Sequence, residues 1–337
     1  MSSRGQERIW RRGFAAALAA VLVVTALLAI GVGPVHIPFA EIVRSALHLP
    51  GGLNAQDAIL VWQLRLPRVM LAALIGAALA TSGAVYQTVF RNPLADPYLL
   101  GTAAGAGLGA TLAMVLSHSG FDARLPLFAF LGGVLAVLAT FTFAGGVHSD
   151  PRSLLLGGIA VSAFATSVQT YLQQRNSAVL RPVYSWILGE LTVADWNTVR
   201  WAATYIALAL AVMLTISRRL DALMLSDEEA FSLGVSPNRL RLIAVAAATL
   251  ATATAVSASG LIGFVGIIVP HLVRGITKRA TNRALLTIAL AGASFLVVAD
   301  MGARTLMSPA EMPIGVLTAF IGAPFFAVVM RVRGVQR

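Results

Sequence analysis

LRLPRVMLAALIGAALATSGAVYQTVFRNPLADPYLLG, Leu64 to Gly101, sets two arginines directly against an uncharged apolar run, Val69–Val89. A helix crosses the hydrocarbon core of a bilayer in roughly 20 apolar residues, so the run reads as a membrane span. Positive charge at the threshold of such a span is costly unless something faces it. What Arg65 and Arg68 face is therefore the first question the sequence raises.

The remainder of the chain agrees with a membrane class. Of 337 residues, 58% are hydrophobic and only 12% charged, too little polar surface for a soluble domain of this length. The expected fold is all-α and polytopic: one transmembrane domain over residues 1–337, with a cytoplasmic loop at 218–241. A net charge of +11 raises nucleic acid as a partner, but the arginines are spread along the chain. Membrane topology explains them, and no nucleic acid is expected. There is no cysteine, hence no disulfide, thiolate metal site or cysteine nucleophile. The basic N-terminus followed by Phe14–Ile30 has the outline of a signal peptide, yet the run is long and no clear cleavage site follows. It reads as a retained first span.

Ten spans are expected: Gly13–Gly33, Val69–Val89, Leu94–Leu116, Leu125–Val147, Leu154–Leu172, Trp201–Ile216, Leu240–Val256, Leu261–Val273, Leu285–Val298 and Ile314–Val332. The eighth is short and glycine-rich, as a broken span buried among neighbours would be. With both termini cytoplasmic, the inner segments hold the basic residues Arg4 to Arg12, Arg91, Arg152, Arg218, Arg219, Arg239, Arg241, Arg274 to Arg283 and Arg331 to Arg337. Those make up most of the 25 basic residues, in accord with the positive-inside rule. Arg65, Arg68 and Arg304 then fall on the outer side.

The loop RRLDALMLSDEEAFSLGVSPNRLR, Arg218 to Arg241, encodes a short helix with its own start and stop. Ser226 and Glu229 form a capping box, Gly234 suits the left-handed position that ends a helix, and Ser236-Pro237 begins the next. One reading is an interfacial helix lying on lipid. The other is a rigid knob, carrying Phe231 and Leu233, that fits a cytoplasmic partner; the acidic end suits an anionic membrane poorly. For the outer arginines the alternatives are snorkelling to lipid phosphates and docking of an acidic extracytoplasmic protein, with Asp300 a possible local partner of Arg304. The placement of Pro67 puts Arg65 and Arg68 at a helix N-terminus, where the macrodipole disfavours cations. RNPLADP, Arg91 to Pro97, reads as a stiff inner turn, because proline halts helix propagation and restricts its predecessor. Rigid turns at a pore mouth make good gates.

Gly101, Gly105 and Gly109 lie four apart in an apolar span with no preceding strand. That pattern favours close helix packing over a dinucleotide site. GLIGFVGIIVPHLVR, Gly260 to Arg274, has the composition of a broken helix lining a cavity, with Pro270 as the breaker. No HExxH, GxSxG or Walker A pattern occurs, and the five histidines lack ligand spacing. An intramembrane enzyme, a resident metal and a cofactor are all disfavoured. So is an ion-coupled carrier, which needs ionisable groups within its spans. Transport energy would come from a partner.

LRLPR, GAALATSGAVYQTVFRNPLADPYLLG, SLGV, GFVGIIVPHLVR and ADMGARTL…EMPIGVLTAFIGAPFF resemble, in order, the FecCD-type permeases, the membrane subunits of ABC importers for ferric siderophores, haem and vitamin B12. The resemblance runs from about Trp62 to Phe326. It implies a fold like the vitamin B12 importer permease and a non-enzymatic subunit in the inner membrane. It also implies a homodimer driven by two copies of an ATP-binding subunit and supplied by a periplasmic or lipid-anchored binding protein. It assigns binding-protein docking to Arg65, Arg68 and Arg304, ATPase coupling to Glu229, Phe231, Leu233 and Gly234, and an inner gate to Asn92, Pro93 and Leu94. The expected cargo is an iron chelate, a ferric siderophore or haem, with vitamin B12 and, more remotely, an ion-coupled substrate as alternatives.

Overall fold

A computed structural model of the chain describes residues 3–33, 35, 37–117, 124–146, 149–192, 194–277 and 281–334. The chain winds as helices α1 (Ser3–Gly31), α2 (Phe39–Ala46), α3 (Ala55–Ile59), α4 (Leu66–Val89), α5 (Thr102–Ser117), α6 (Leu125–Phe143), α7 (Pro151–Arg175), α8 (Leu180–Ile187), α9 (Trp196–Leu220), α10 (Asp227–Ser232), α11 (Pro237–Ser259), α12 (Val265–Thr277), α13 (Thr281–Thr305) and α14 (Ile314–Gly334). Among the described residues, seven helical stretches are long and apolar enough to cross a membrane, and Thr102–Ser117, Val265–Thr277 and Ile314–Val329 are shorter apolar helices. The ten fall in order on the ten expected spans, with different bounds. The protein is a multi-pass membrane protein. Lys278, Arg279 and Arg337, counted toward its inner charge, lie outside the described residues.

At the centre stands α4, buried along most of its length and packed against α9, α11, α12 and α13. Lipid tails are as apolar as leucine, so helices associate through close packing rather than by fleeing water. The sequence of α4 provides for this with small residues. A Cβ on Gly83 would lie 2.1 Å from the Gly266 carbonyl oxygen of α12, and one on Gly76 would lie 2.2 Å from that of Gly292 in α13. Gly105 and Gly109 of α5 meet α6 in the same way, at Gly132 and Phe128. The four-residue spacing thus marks a helix seam, whereas Gly101 serves differently: at φ +84° it turns the chain into α5.

Three expectations require correction. The third span begins at Thr102, not Leu94, because Asn92 and Asp96 divert the chain into turns: the side-chain oxygen of Asn92 accepts the Leu94 N–H at 3.0 Å, and Asp96 accepts that of Tyr98 at 2.8 Å. Such side-chain bonds compete with helix. The eighth span is broken before Val265, at Gly260 (φ +69°) and Phe264 (φ +68°), while Pro270 sits inside a continuous α12. Proline there removes the bond to the carbonyl four residues back, that of Gly266, and Gln87 Nε2 of α4 donates to this oxygen instead at 2.9 Å.

Pro67 stands in the first turn of α4, as expected, but no free helix end lies there. Ala55–Val89 runs as one helical stretch, widened over Leu60–Arg65 to a π-helix in which the Leu66 N–H reaches the Val61 carbonyl, five residues back. Pro67 has no N–H with which to reach Trp62 in turn, and the Trp62 carbonyl accepts the indole N–H of Trp196 at 3.0 Å. Arg65 and Arg68 are therefore interior to a helix, away from any unfavourable positive end.

Replacing Gly109 with Val should force α5 from α6 and lower the unfolding midpoint of the detergent-purified protein, at a cost of about 1–3 kcal/mol. Gly13→Ala, where nothing lies within 4 Å of the added carbon, should leave the midpoint unchanged in the same thermal melt.

Candidate functional site

On one face of the bundle, three arginines gather at the end of α1. The last four carbonyls of a helix have no partner within it, and in hydrocarbon there is no water to supply one. Each is met here. Leu28 takes the Val32 N–H at 2.8 Å, and Ala29 takes Arg304 Nη2 at 3.0 Å. Arg65 Nη1 donates to Ile30 at 2.8 Å and to Gly31 at 3.1 Å, while its Nη2 donates to Val35. Arg65 is only 5% exposed and Arg304 3%. A helix C-terminus is the negative end of its dipole, so the two guanidiniums are matched there by charge as well as by hydrogen bonds.

Arg68 is placed differently. Its Nε donates to buried Asp300 at 2.8 Å, and its two terminal nitrogens form a fork with Glu311, at 3.1 and 2.8 Å. Asp300 also lies 3.1 Å from Arg304 Nε, as an ion pair rather than a hydrogen bond. Of the three residues expected to meet a docking protein, Arg65 and Arg304 are turned inward and engaged with α1 and Asp300. Arg68, at the Glu311 rim, is the one whose partner is partly exposed. Sequence reasoning missed Glu311 and the α1 carbonyls, which lie far along the chain from the arginines.

The opposite face carries the loop between α9 and α11. Ser226 Oγ accepts the Glu229 N–H at 3.2 Å and Glu229 Oε2 accepts the Ser226 N–H at 2.9 Å, closing the capping box. Gly234 at φ +75° ends the helix, and Pro237 opens α11. Between these stops α10 buries only Ala230 and presents Phe231 and Leu233, 61% and 66% exposed.

This loop is bound to the turn at Asn92, Pro93 and Leu94. Arg91, at φ +49°, donates through Nε to the Leu223 carbonyl at 2.6 Å and through Nη2 to that of Leu225. The same nitrogen reaches Asp227 Oδ1 at 3.1 Å. Asp227 also accepts both terminal nitrogens of Arg241, at 2.6 and 3.1 Å. Hydrogen bonding from Arg241, reinforced by both arginine charges, holds the Asp227 carboxyl below the usual carboxylate range. A depressed value means the bridge is intact above the ordinary aspartate range and is lost only as pH falls through the lowered one, so it stays ionised from pH 5 to 8. On the membrane side of the turn, Gln87 Nε2 also donates to the Ala95 carbonyl at 3.2 Å, and Arg274 donates to the Gln87 side-chain oxygen. A lone glutamine in an apolar span, with a helical proline downstream needing a donor, was the available signal for this link.

Residues 21–332 match the FecCD transport family. The chain belongs to that family. It is 38% identical to the hemin transport system permease protein HmuU of Yersinia pestis, over 97% of this chain and 96% of that one. It is 39% identical to the cobalamin import system permease protein BtuC of Halobacterium salinarum, over 86% of this chain and 78% of that one. A solved structure of an inward-facing ABC transporter, of a type assigned to metal chelates, superposes with a TM-score of 0.85 at 30% identity, covering 95% of this chain and 99% of that one. The two faces of this FecCD-family chain thus differ in kind: one is locked by buried charge, the other offers apolar side chains on a short tethered helix.

Arg65→Met leaves the buried Ile30 carbonyl without its donor, removes one of two donors from Gly31, and should lower stability by about 1–3 kcal/mol. Glu311→Gln, at an exposed rim, should cost under about 1 kcal/mol. Thermal unfolding of the two purified variants in one detergent measures the contrast.

Proposed function

We propose that this chain is the non-catalytic permease subunit of an ABC importer that carries an iron chelate, a ferric siderophore or haem, across the bacterial inner membrane. The observation that carries the reading is the inner-face assembly: a preformed helix offering Phe231 and Leu233 to a partner and bonded through Arg91 to a rigid turn at the membrane boundary. Family membership supports it, with relatives named as a hemin transport system permease and a cobalamin import system permease. The cobalamin name supports vitamin B12, by the same architecture, as the second cargo.

In this reading two ATP-binding subunits grip α10 from the cytoplasm, with Glu229 and Gly234 fixing its shape and Phe231 and Leu233 filling the partner's cleft. A change in their spacing on ATP binding and hydrolysis moves α10, and the turn at Asn92, Pro93 and Leu94 acts as the inner gate. The energy available to the gate is the partner's differential affinity for the two states of the permease. Both termini lie in the cytoplasm, an orientation supported by Arg91, Arg152, Arg218, Arg219, Arg239 and Arg241 sharing the α10 side. A periplasmic or lipid-anchored binding protein docks on the outer face through acidic groups that meet Arg68, while Arg65 and Arg304 hold the frame. The pathway forms against a second copy of the chain. α7 supports this, since it exposes Ser167, Thr170 and Gln174 beside Phe164 and Tyr171, a mixture that lipid alone does not favour. The cargo arrives already chelated, so the pathway requires no metal ligands, and weak contacts along it permit release.

Reconstituted with its ATPase and binding protein in vesicles, the permease should accumulate labelled ferric siderophore or haem only when ATP is supplied. ATP-driven accumulation of cobalamin with no iron chelate moved would reassign the cargo, and no ATP-driven uptake of any chelate would refute the reading. Replacing Phe231 and Leu233 together with Asp should reduce uptake at least tenfold, by releasing the ATPase or by leaving its hydrolysis unproductive. Arg68→Glu should weaken binding-protein association most at low ionic strength, where exposed charges are least screened.

A further inference from the structure

Resting on the permease reading, we propose that Asp227 is the positioning residue through which α10 moves the inner turn. Its carboxylate joins the first residue of α10 to two other elements at once. Arg91, which ends the α4 side, lies 3.1 Å away, and Arg241, in the first turns of α11, lies at 2.6 and 3.1 Å. The Arg91 guanidinium is held in addition by the Leu223 and Leu225 carbonyls, so the segment leading into α10 surrounds it.

The chain beyond Arg91 is equally stiff. The Arg91 backbone, at φ +49°, leads directly into Asn92, whose side-chain oxygen takes the Leu94 N–H and whose carbonyl takes the Ala95 N–H, both at 3.0 Å. A displacement of residues 223–227 therefore reaches Asn92–Ala95 through one side chain and one closed turn, with little slack. Two cavities lie alongside, both lined by Arg91. One, of about 710 Å³, includes Asp227, Asn238 and Arg241; the other, of about 400 Å³, includes Gln87, Pro93 and Met224. The guanidinium bridges a region otherwise loosely filled, where the connection is made by polar bonds rather than by packing.

The position of the bridge separates coupling from folding. The Asp227 and Arg91 side chains are 47% and 39% exposed, and an ion pair at that exposure contributes little to stability; Arg241, at 10%, is the partner at which a folding cost would arise. Removing its charge should leave a folded protein in which Arg91 keeps its bonds to the Leu223 and Leu225 carbonyls but α10 itself has lost its direct link to the turn.

The test uses the assembled transporter with its ATPase and binding protein in vesicles. The chain contains no cysteine, so Leu94→Cys supplies a single site at the turn for a membrane-impermeant maleimide. Asp227→Asn should retain ATPase binding and hydrolysis, lose at least fivefold in cargo moved per ATP hydrolysed, and lose the ATP-dependent change in labelling at position 94. Asp227→Glu, which keeps the charge, should recover most of both. The exchange Arg91→Asp with Asp227→Arg should recover more than either single change. An Asp227→Asn transporter with the parent's ratio and labelling change overturns the inference while leaving the permease reading in place. Loss of ATPase binding in that variant also overturns it, by making Asp227 a partner contact. A parent assembly without ATP-driven uptake overturns the permease reading and this inference together.

Discussion

A backbone carbonyl that water cannot reach must find a donor in the protein, and this constraint shapes the chain at each irregular point within the bundle. Where α1 ends, Arg65 and Arg304 donate to its final carbonyls. Where Pro67 interrupts the π-helical series, Trp196 serves Trp62. Where Pro270 frees Gly266, Gln87 serves it. In each case a side chain from a distant element supplies the missing bond, and in doing so pins one helix to another. The apolar solvent makes such bonds obligatory, and obligatory long-range bonds fix a fold that hydrophobicity alone would leave loosely specified.

That logic also sorts the charged residues. Deep in the outer face, Arg65, Arg68, Asp300 and Arg304 are engaged with carbonyls or with one another. Breaking such a group strands a buried charge, which makes it a poor candidate for the cyclic protonation that drives an ion-coupled carrier. On the inner face Arg91 and Asp227 are partly exposed and therefore cheaper to rearrange, although Arg241 beside them is buried. Rigidity on one side and compliance on the other suit a body that holds its outer frame while its inner turn is displaced.

The local features were legible in the sequence, and the distant ones were not. Ser226, Glu229, Gly234 and Pro237 act within a few residues of themselves, and the helix they define is present with its capping box closed. The ten spans emerge from composition over windows of membrane length, and Gly105 and Gly109 from their spacing. The partners of Arg65 lie 30 to 35 residues away, and those of Arg68 more than 230, separations at which no periodicity speaks. The expected third span is longer than α5 because Leu94, Ala95 and Leu99 are apolar enough to extend it. Hydropathy does not register that Asn92 and Asp96 prefer to bond their own backbone. Asp227 was visible as a helix-starting acid, but its bridge to Arg91 and Arg241 depends on tertiary placement.

The central claim is that the chain has no motive force of its own and yields to a partner that hydrolyses ATP against α10. The most direct measurement places the purified permease alone in sealed vesicles, imposes a proton or sodium gradient, and tracks a labelled iron chelate. The account predicts no accumulation above the external concentration under either gradient, with accumulation restored on adding the ATPase, the binding protein and ATP. Uphill accumulation by the permease alone would contradict it.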